Sequence, residues 1–184
     1  MKKQKRINWM DTLRGIGMFC VIWSHTFPKK WPIRKYIVSF HMPLFFFMNG
    51  LTYKERDISI KDYTKKLAKS LLLPYFIISL ILYILNYTFN YFGIISGFDP
   101  LENFIGTFFA YNSAYNHPFD AGWYLCALFL TEILFFTLKK LSKDDKELSY
   151  FRGILGIIGY LDSISGYKIK YPWHINTVPT SIVF

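Results

Sequence analysis

Apolar blocks of about 20 residues, parted by short charged loops, organise the chain. The first runs from about Trp9 to Phe27, and the second from about Tyr36 to Tyr53 without a Lys, Arg, Asp or Glu. The third covers about Leu71 to Tyr91, and its uncharged run continues to Phe98. Gly93 and Gly97 predict that the helix stops before the run does. The fourth covers about Ala121 to Leu138. Each block is long enough, at about 1.5 Å per residue, to cross a hydrocarbon core of about 30 Å. Between the third and fourth, NFIGTFFAY reads as a short interfacial or re-entrant helix, and NSAYNHPFD as a polar, turn-rich loop. After Arg152 the pattern weakens: GILGIIGYL is nine residues long, and YPWHINTVPTSIVF starts a further apolar stretch. The pattern predicts an all-α fold, a multi-pass transmembrane helical bundle of about five to six membrane segments over residues 1–184 as a single integral-membrane domain.

Composition sharpens this. Hydrophobic residues make up 52% and aromatic residues 21%, with 19 Phe, 14 Tyr and 5 Trp, while charged residues are only 18%. A soluble core of this size does not hide so many rings in continuous blocks. The net charge of +10 would suggest nucleic acid in a soluble protein. Here the basic residues sit in short loops between apolar blocks, so topology accounts for them and nucleic acid is not an expected partner. Lys2, Lys3, Lys5 and Arg6 place the N-terminus in the cytoplasm by the positive-inside rule, and the basic loops Lys54–Lys69 and Lys139–Arg152 agree with it. The loop PKKWPIRK, Pro28 to Lys35, then falls outside against that bias, where its four basic residues serve as interfacial anchors or meet an anionic acceptor or lipid headgroups. Cys20 and Cys126 lie in apolar stretches without metal-ligand spacing and read as small packing residues. No cleavable leader is expected, because Pro28 and Lys29 follow the first block instead of a small-residue cleavage site.

The first block carries the candidate chemistry. INWMDTLRGIGMFCVIWSHTF is apolar, yet it holds Asp11, Arg14 and His25. Ionisable groups inside a spanning helix are costly and mark function by default. Arg14 and His25 are 11 residues apart, about three helical turns or roughly 16 Å of rise, so they leave one face, which Asp11 shares. In the second block His41 precedes Met42 and Pro43, and reads as a second catalytic or acceptor-binding group or as a packing residue. IKDYTKKLAKSLLLPYF reads as a basic amphipathic lead into the third helix, lying along the interface, with Lys65, Lys66 and Lys69 available to phosphates or anionic lipid. Glu132, inside the fourth block, reads as a helix–helix partner rather than a catalyst. His117 and Asp120 read as solvated loop residues that can also contact a sugar.

DTLRGIGMFCVIWSHT resembles the first helix of the membrane acyltransferase 3 family, whose members move acyl groups, commonly acetyl, onto sugars of the cell envelope. FHMPLFFFMNGLTY is similar to the family's second helix, KKLAKSLLLPYF to its basic loop and third-helix start, and GWYLCALFLTEILF to a later helix. Where family members often have arginines, this chain has Lys65, Lys66 and Lys69, which keep the charge and lose the bidentate fork. Members usually carry about ten spanning helices, and at about 20 residues per span this chain has room for about half that, so it reads as the N-terminal part of a longer acyltransferase fold.

The resemblance implies a bacterial inner-membrane O-acetyltransferase taking an acyl group from acetyl-CoA or another acyl-CoA, with no bound cofactor or metal, and passing it to an envelope polysaccharide. In that frame Arg14 binds a CoA phosphate, Asp11 orients Arg14, Lys65 and Lys66 help hold the donor, and His25 acts as general base on the acceptor hydroxyl. The roughly 16 Å between Arg14 and His25 is bridged either by an extended pantetheine arm or by a covalent acyl intermediate on His25 or elsewhere. Two other readings compete: a catalytically inactive truncated fragment or partner subunit, prone to self-association for want of a C-terminal half, and a transporter-like bundle using Asp11, Arg14 and His25 as a polar relay.

Overall fold

The computed structural model describes residues 8–26, 28, 30, 32–110, 119, 122–164 and 172–182. Every regular element among them is helical. The chain forms two compact units, one reaching to Arg56 and one from Asp57 to Val183.

The first unit is a hairpin of α1 (Asn8–Thr26) and α2 (Pro32–Thr52). The second helix starts four residues earlier than the expected Tyr36. Pro32 suits the first helical position, where its missing N–H costs nothing and its φ is already helical. Arg34, expected in a loop, therefore stands in the first turn of α2. Its Nε donates to the Ser24 carbonyl at 2.7 Å, a last-turn carbonyl that α1 cannot satisfy itself. Deeper in the hairpin, Gly17 lets the Phe45 ring in: an added Cβ would meet Phe45 Cζ at 3.0 Å and Leu44 Cδ2 at 3.4 Å. Gly17→Leu is expected to destabilise the protein by about 1–3 kcal/mol through overpacking, and Gly17→Ala by much less, since a ring edge can yield. Denaturant unfolding in detergent measures the difference; equal stability of the leucine variant would remove Gly17 from the seam.

The second unit begins with one long helical rod. α3 (Ile60–Leu67) runs through a π turn at Ala68–Leu72 into α4 (Leu73–Tyr91). The basic amphipathic stretch is thus continuous with the third helix, and not a separate piece beside it. The π turn has a local cause. Pro74 has no N–H for the Ser70 carbonyl, and the Leu73 N–H reaches back five residues to the Ala68 carbonyl instead. Ile60–Tyr91 is the one helix among the described residues that is both long and apolar enough to cross a membrane.

α5 (Pro100–Phe109) forms where a short helix was expected; Asp99 caps it by accepting the Glu102 N–H at 2.8 Å. α6 (Trp123–Leu141) carries the expected fourth block three residues further than Leu138. α7 (Asp145–Ile164) is a correction in the region where the apolar pattern fades. Its start lies in what reads as a charged loop, because Asp144 and Glu147 cap it from both sides: Asp144 Oδ1 accepts the Glu147 N–H at 2.7 Å, and Glu147 Oε2 reaches back to accept the Lys143 N–H at 2.8 Å. Pro172–Thr177 is a 3₁₀-like stretch kinked at Trp173 and His174, whose φ are 54° and 50°, and it leads into α8 (Val178–Ser181).

Tyr75, Ala110 and Cys126 make the core of this unit, with Leu72, Phe76, Phe119, Leu125 and Trp173 around them. Cys126 is a packing residue, as expected. Outside this core the helices carry apolar stripes open to their surroundings. Phe19 and Ile22 on α1, Leu80, Ile81 and Ile84 on α4, and Ile154, Ile157 and Leu161 on α7 are all more than half exposed. Contiguous exposed apolar surface of this extent marks a membrane or protein contact.

Candidate functional site

The polar stripe of the first block exists as one face of an unbroken helix. α1 runs from Asn8 to Thr26, so the roughly 16 Å rise between Arg14 and His25 holds along its whole length. Arg14 Nη1 lies 3.8 Å from Asp11 Oδ1, one turn away. Both side chains are partly open, at 50% and 38% exposure, so the pair adds little to the stability of the helix. His25 is exposed at the far end of the same face.

This stripe is not the face that packs on α2. The buried positions of α1 are Gly17 and Ser24, seven residues apart. At about 100° per residue they point roughly 60–100° away from Arg14 and His25. The seam thus lies beside the stripe and leaves it accessible. Ser24 is sealed into the seam: its hydroxyl donates to the Val21 carbonyl at 2.8 Å while its own carbonyl takes Arg34.

His41 stands in the seam, 4% exposed, with Nδ1 2.7 Å from the Ile37 carbonyl oxygen. A carbonyl only accepts, so Nδ1 carries the hydrogen, and in the neutral ring the lone pair sits on Nε2. Backbone hydrogen bonding from one turn back thereby selects the tautomer. Its sequence signal was a histidine in an otherwise uncharged apolar block; the tautomer needed the structure.

Lys65 and Lys66 belong to the other unit. They are exposed in the last turn of α3, away from the buried Tyr63. The Tyr63 hydroxyl donates to a Glu132 carboxylate oxygen, and its ring stacks on Phe136 at 4.0 Å between centroids. Lys140 Nζ donates to the Ile58 carbonyl at 2.8 Å. Glu132 is therefore the helix–helix partner expected of it, and the bond fastens the basic α3 to α6. The structure brings Asp11 and Arg14 together, sets His25 three turns off and His41 in the seam, and places the two lysines in the second unit. Lys2, Lys3, Lys5, Arg6, His117 and Asp120 lie outside the described residues.

Two contacts are not legible in the sequence. Arg34 reads as loop charge, although a cation two residues after a helix-starting proline can reach the preceding helix end. Trp173 gave no signal; its Nε1–H donates to the Phe108 carbonyl at 2.6 Å and ties the last turns of the chain to α5. Among the described residues no group of three or more His, Cys, Asp or Glu is placed to hold a metal ion.

Neither the curated proteins nor the solved structures give a match to this chain. A family model described as an acyltransferase domain matches residues 7–183, from just before α1 to just beyond α8. The match takes in both units, including the Asp11–Arg14–His25 stripe and the Tyr63–Glu132 brace, and the chain belongs to the acyltransferase 3 family.

Proposed function

We propose that the protein is a membrane-bound O-acyltransferase that moves an acyl group, in the first instance acetyl, from acyl-CoA to a hydroxyl of an envelope carbohydrate. The observation that carries this reading is the stripe on α1. A guanidinium oriented by a carboxylate stands at one end, an imidazole at the other, and the face between them is left open beside the seam. Membership of the acyltransferase 3 family supplies the reaction class.

In this reading α1 and α2 cross the inner membrane with α4, α6 and α7, about five to six segments in all, and the exposed Phe19, Leu80 and Ile157 face lipid. With the N-terminus inside, Arg14 lies near the cytoplasmic interface and binds a phosphate of the donor by charge-assisted hydrogen bonds. Lys65 and Lys66, exposed at the end of α3, are a further positive stretch open to phosphate. His25 lies toward the outer side and takes the proton of the acceptor hydroxyl. The acyl group passes from sulfur to that oxygen, the C–S bond breaks, and the CoA thiolate leaves and recovers the proton.

The test is acetyl-CoA consumption by the protein in lipid nanodiscs, with envelope glycans as acceptors. Arg14→Ala is expected to raise KM for acetyl-CoA by about 10- to 100-fold, the loss of one hydrogen-bonded charge worth about 1.5–3 kcal/mol. Arg14→Lys should recover part of this, because charge survives and the fork does not. An unchanged KM in the alanine variant would take Arg14 off the donor. Solute flux without acetyl-CoA consumption would replace the acyltransferase reading with a transporter.

A further inference from the structure

His41 lies at a depth that resolves the gap between Arg14 and His25. Arg34, His41 and Phe45 are seven and four residues apart and so share one face of α2. Arg34 reaches Ser24 and Phe45 lies over Gly17, so this face is the one packed on α1. The two helices run antiparallel. His41, between Arg34 and Phe45, is therefore level with the stretch of α1 between Ser24 and Gly17. That stretch lies between His25 and Arg14. Counted from the Gly17–Phe45 contact, the level of His41 is roughly 10 Å from Arg14 and roughly 6 Å from His25 along the helix. Along the helix axis His41 thus stands between a donor held at Arg14 and the base at His25.

The bond from Nδ1 to the Ile37 carbonyl holds the imidazole in one orientation and keeps the neutral lone pair on Nε2. We propose that His41 is a covalent catalyst whose Nε2 takes the acyl group from the donor before the acceptor receives it. This rests on the acyltransferase reading above.

In the first half-reaction the Nε2 lone pair attacks the thioester carbonyl, the C–S bond breaks, and the CoA thiolate leaves. The product is an acylimidazolium whose Nδ1–H stays bonded to Ile37. In the second, His25 takes the proton of the sugar hydroxyl and the oxygen attacks the acyl carbon. The C–N bond breaks, its electron pair returns to Nε2, and the His25 proton leaves to the released thiolate. The sum is acyl-CoA plus alcohol to ester plus CoA. Two imidazoles at two depths divide between them a transfer that one imidazole, roughly 16 Å from Arg14, would have to perform alone.

The experiment is exchange of labelled CoA into acetyl-CoA with acceptor absent, a reaction only a covalent acyl-enzyme supports. The wild type is expected to exchange. His41→Asn, which keeps a donor for the Ile37 carbonyl and removes the nucleophile, is expected to lose both exchange and transfer. Wild-type initial-rate lines for donor against acceptor should be parallel, a measurement that stands whatever the variant's folding. Intersecting lines, or exchange undiminished in His41→Asn, would overturn the role of His41 and leave the acyltransferase reading intact. A wild type that consumes no acetyl-CoA with any glycan acceptor would overturn both.

Discussion

Acetyl transfer by His25→Ala is expected to fall by about 10²- to 10⁴-fold, the usual worth of a general base. Stability should stay within about 0.5 kcal/mol of wild type, as for surface substitutions away from special features. The separation of the two effects follows from position. His25 is exposed within its unit, near the end of α1, and the seam that holds the hairpin runs through Ser24 and Gly17 instead. Acetyl-CoA consumption and thermal melting, measured on one preparation, test both halves. Transfer at the wild-type rate would remove His25 from the base role. A large fall in melting temperature would show that its ring holds the hairpin.

Tyr75→Ala is expected to cost about 3–5 kcal/mol of stability. Tyr75 is fully buried. Its hydroxyl donates to the Thr107 carbonyl at 2.8 Å, and its ring lies 5.1 Å from that of Phe76 and 6.1 Å from that of Phe119. Gly122 belongs to the same arrangement, since an added Cβ there would meet the Tyr75 ring at 2.8 Å and the Phe119 ring at 2.3 Å. Tyr75→Phe keeps the ring and loses the bond, and should cost only about 1–3 kcal/mol for the carbonyl left behind. Denaturant unfolding of the two variants separates ring from hydroxyl. If the alanine variant lost no more than the phenylalanine variant, the packing of α4 on α5 and α6 would not rest on Tyr75.

Helices over about Trp9–Phe27 and Leu71–Tyr91 could be read from the chain because a spanning helix needs only local apolar length. Helix ends were less legible. The start of α2 turns on Pro32, and the start of α7 on caps from the Asp144 and Glu147 side chains, hidden among charges that resemble a loop. In both cases a local capping signal outweighed the charge pattern. The candidate site divides in the same way. Asp11, Arg14 and His25 share a face by helical periodicity alone, which needs no neighbour. Which side of α1 packs on α2 depends on Gly17 meeting Phe45 and Ser24 meeting Arg34, contacts between residues 28 and 10 positions apart.

By itself the sequence determined the all-α class, the family, the stripe on α1 and the basic lead into the long apolar helix. All of these depend on composition, motif or periodicity within one segment. The tertiary structure decided that the stripe flanks the seam, that His41 stands between the levels of Arg14 and His25, and that Glu132 braces Tyr63. It also showed that Arg34 closes α1 and does not float in a loop. These depend on which side chains meet across helices. Apolar pattern specifies that a face is buried, while shape and hydrogen bonding at particular residues specify against what.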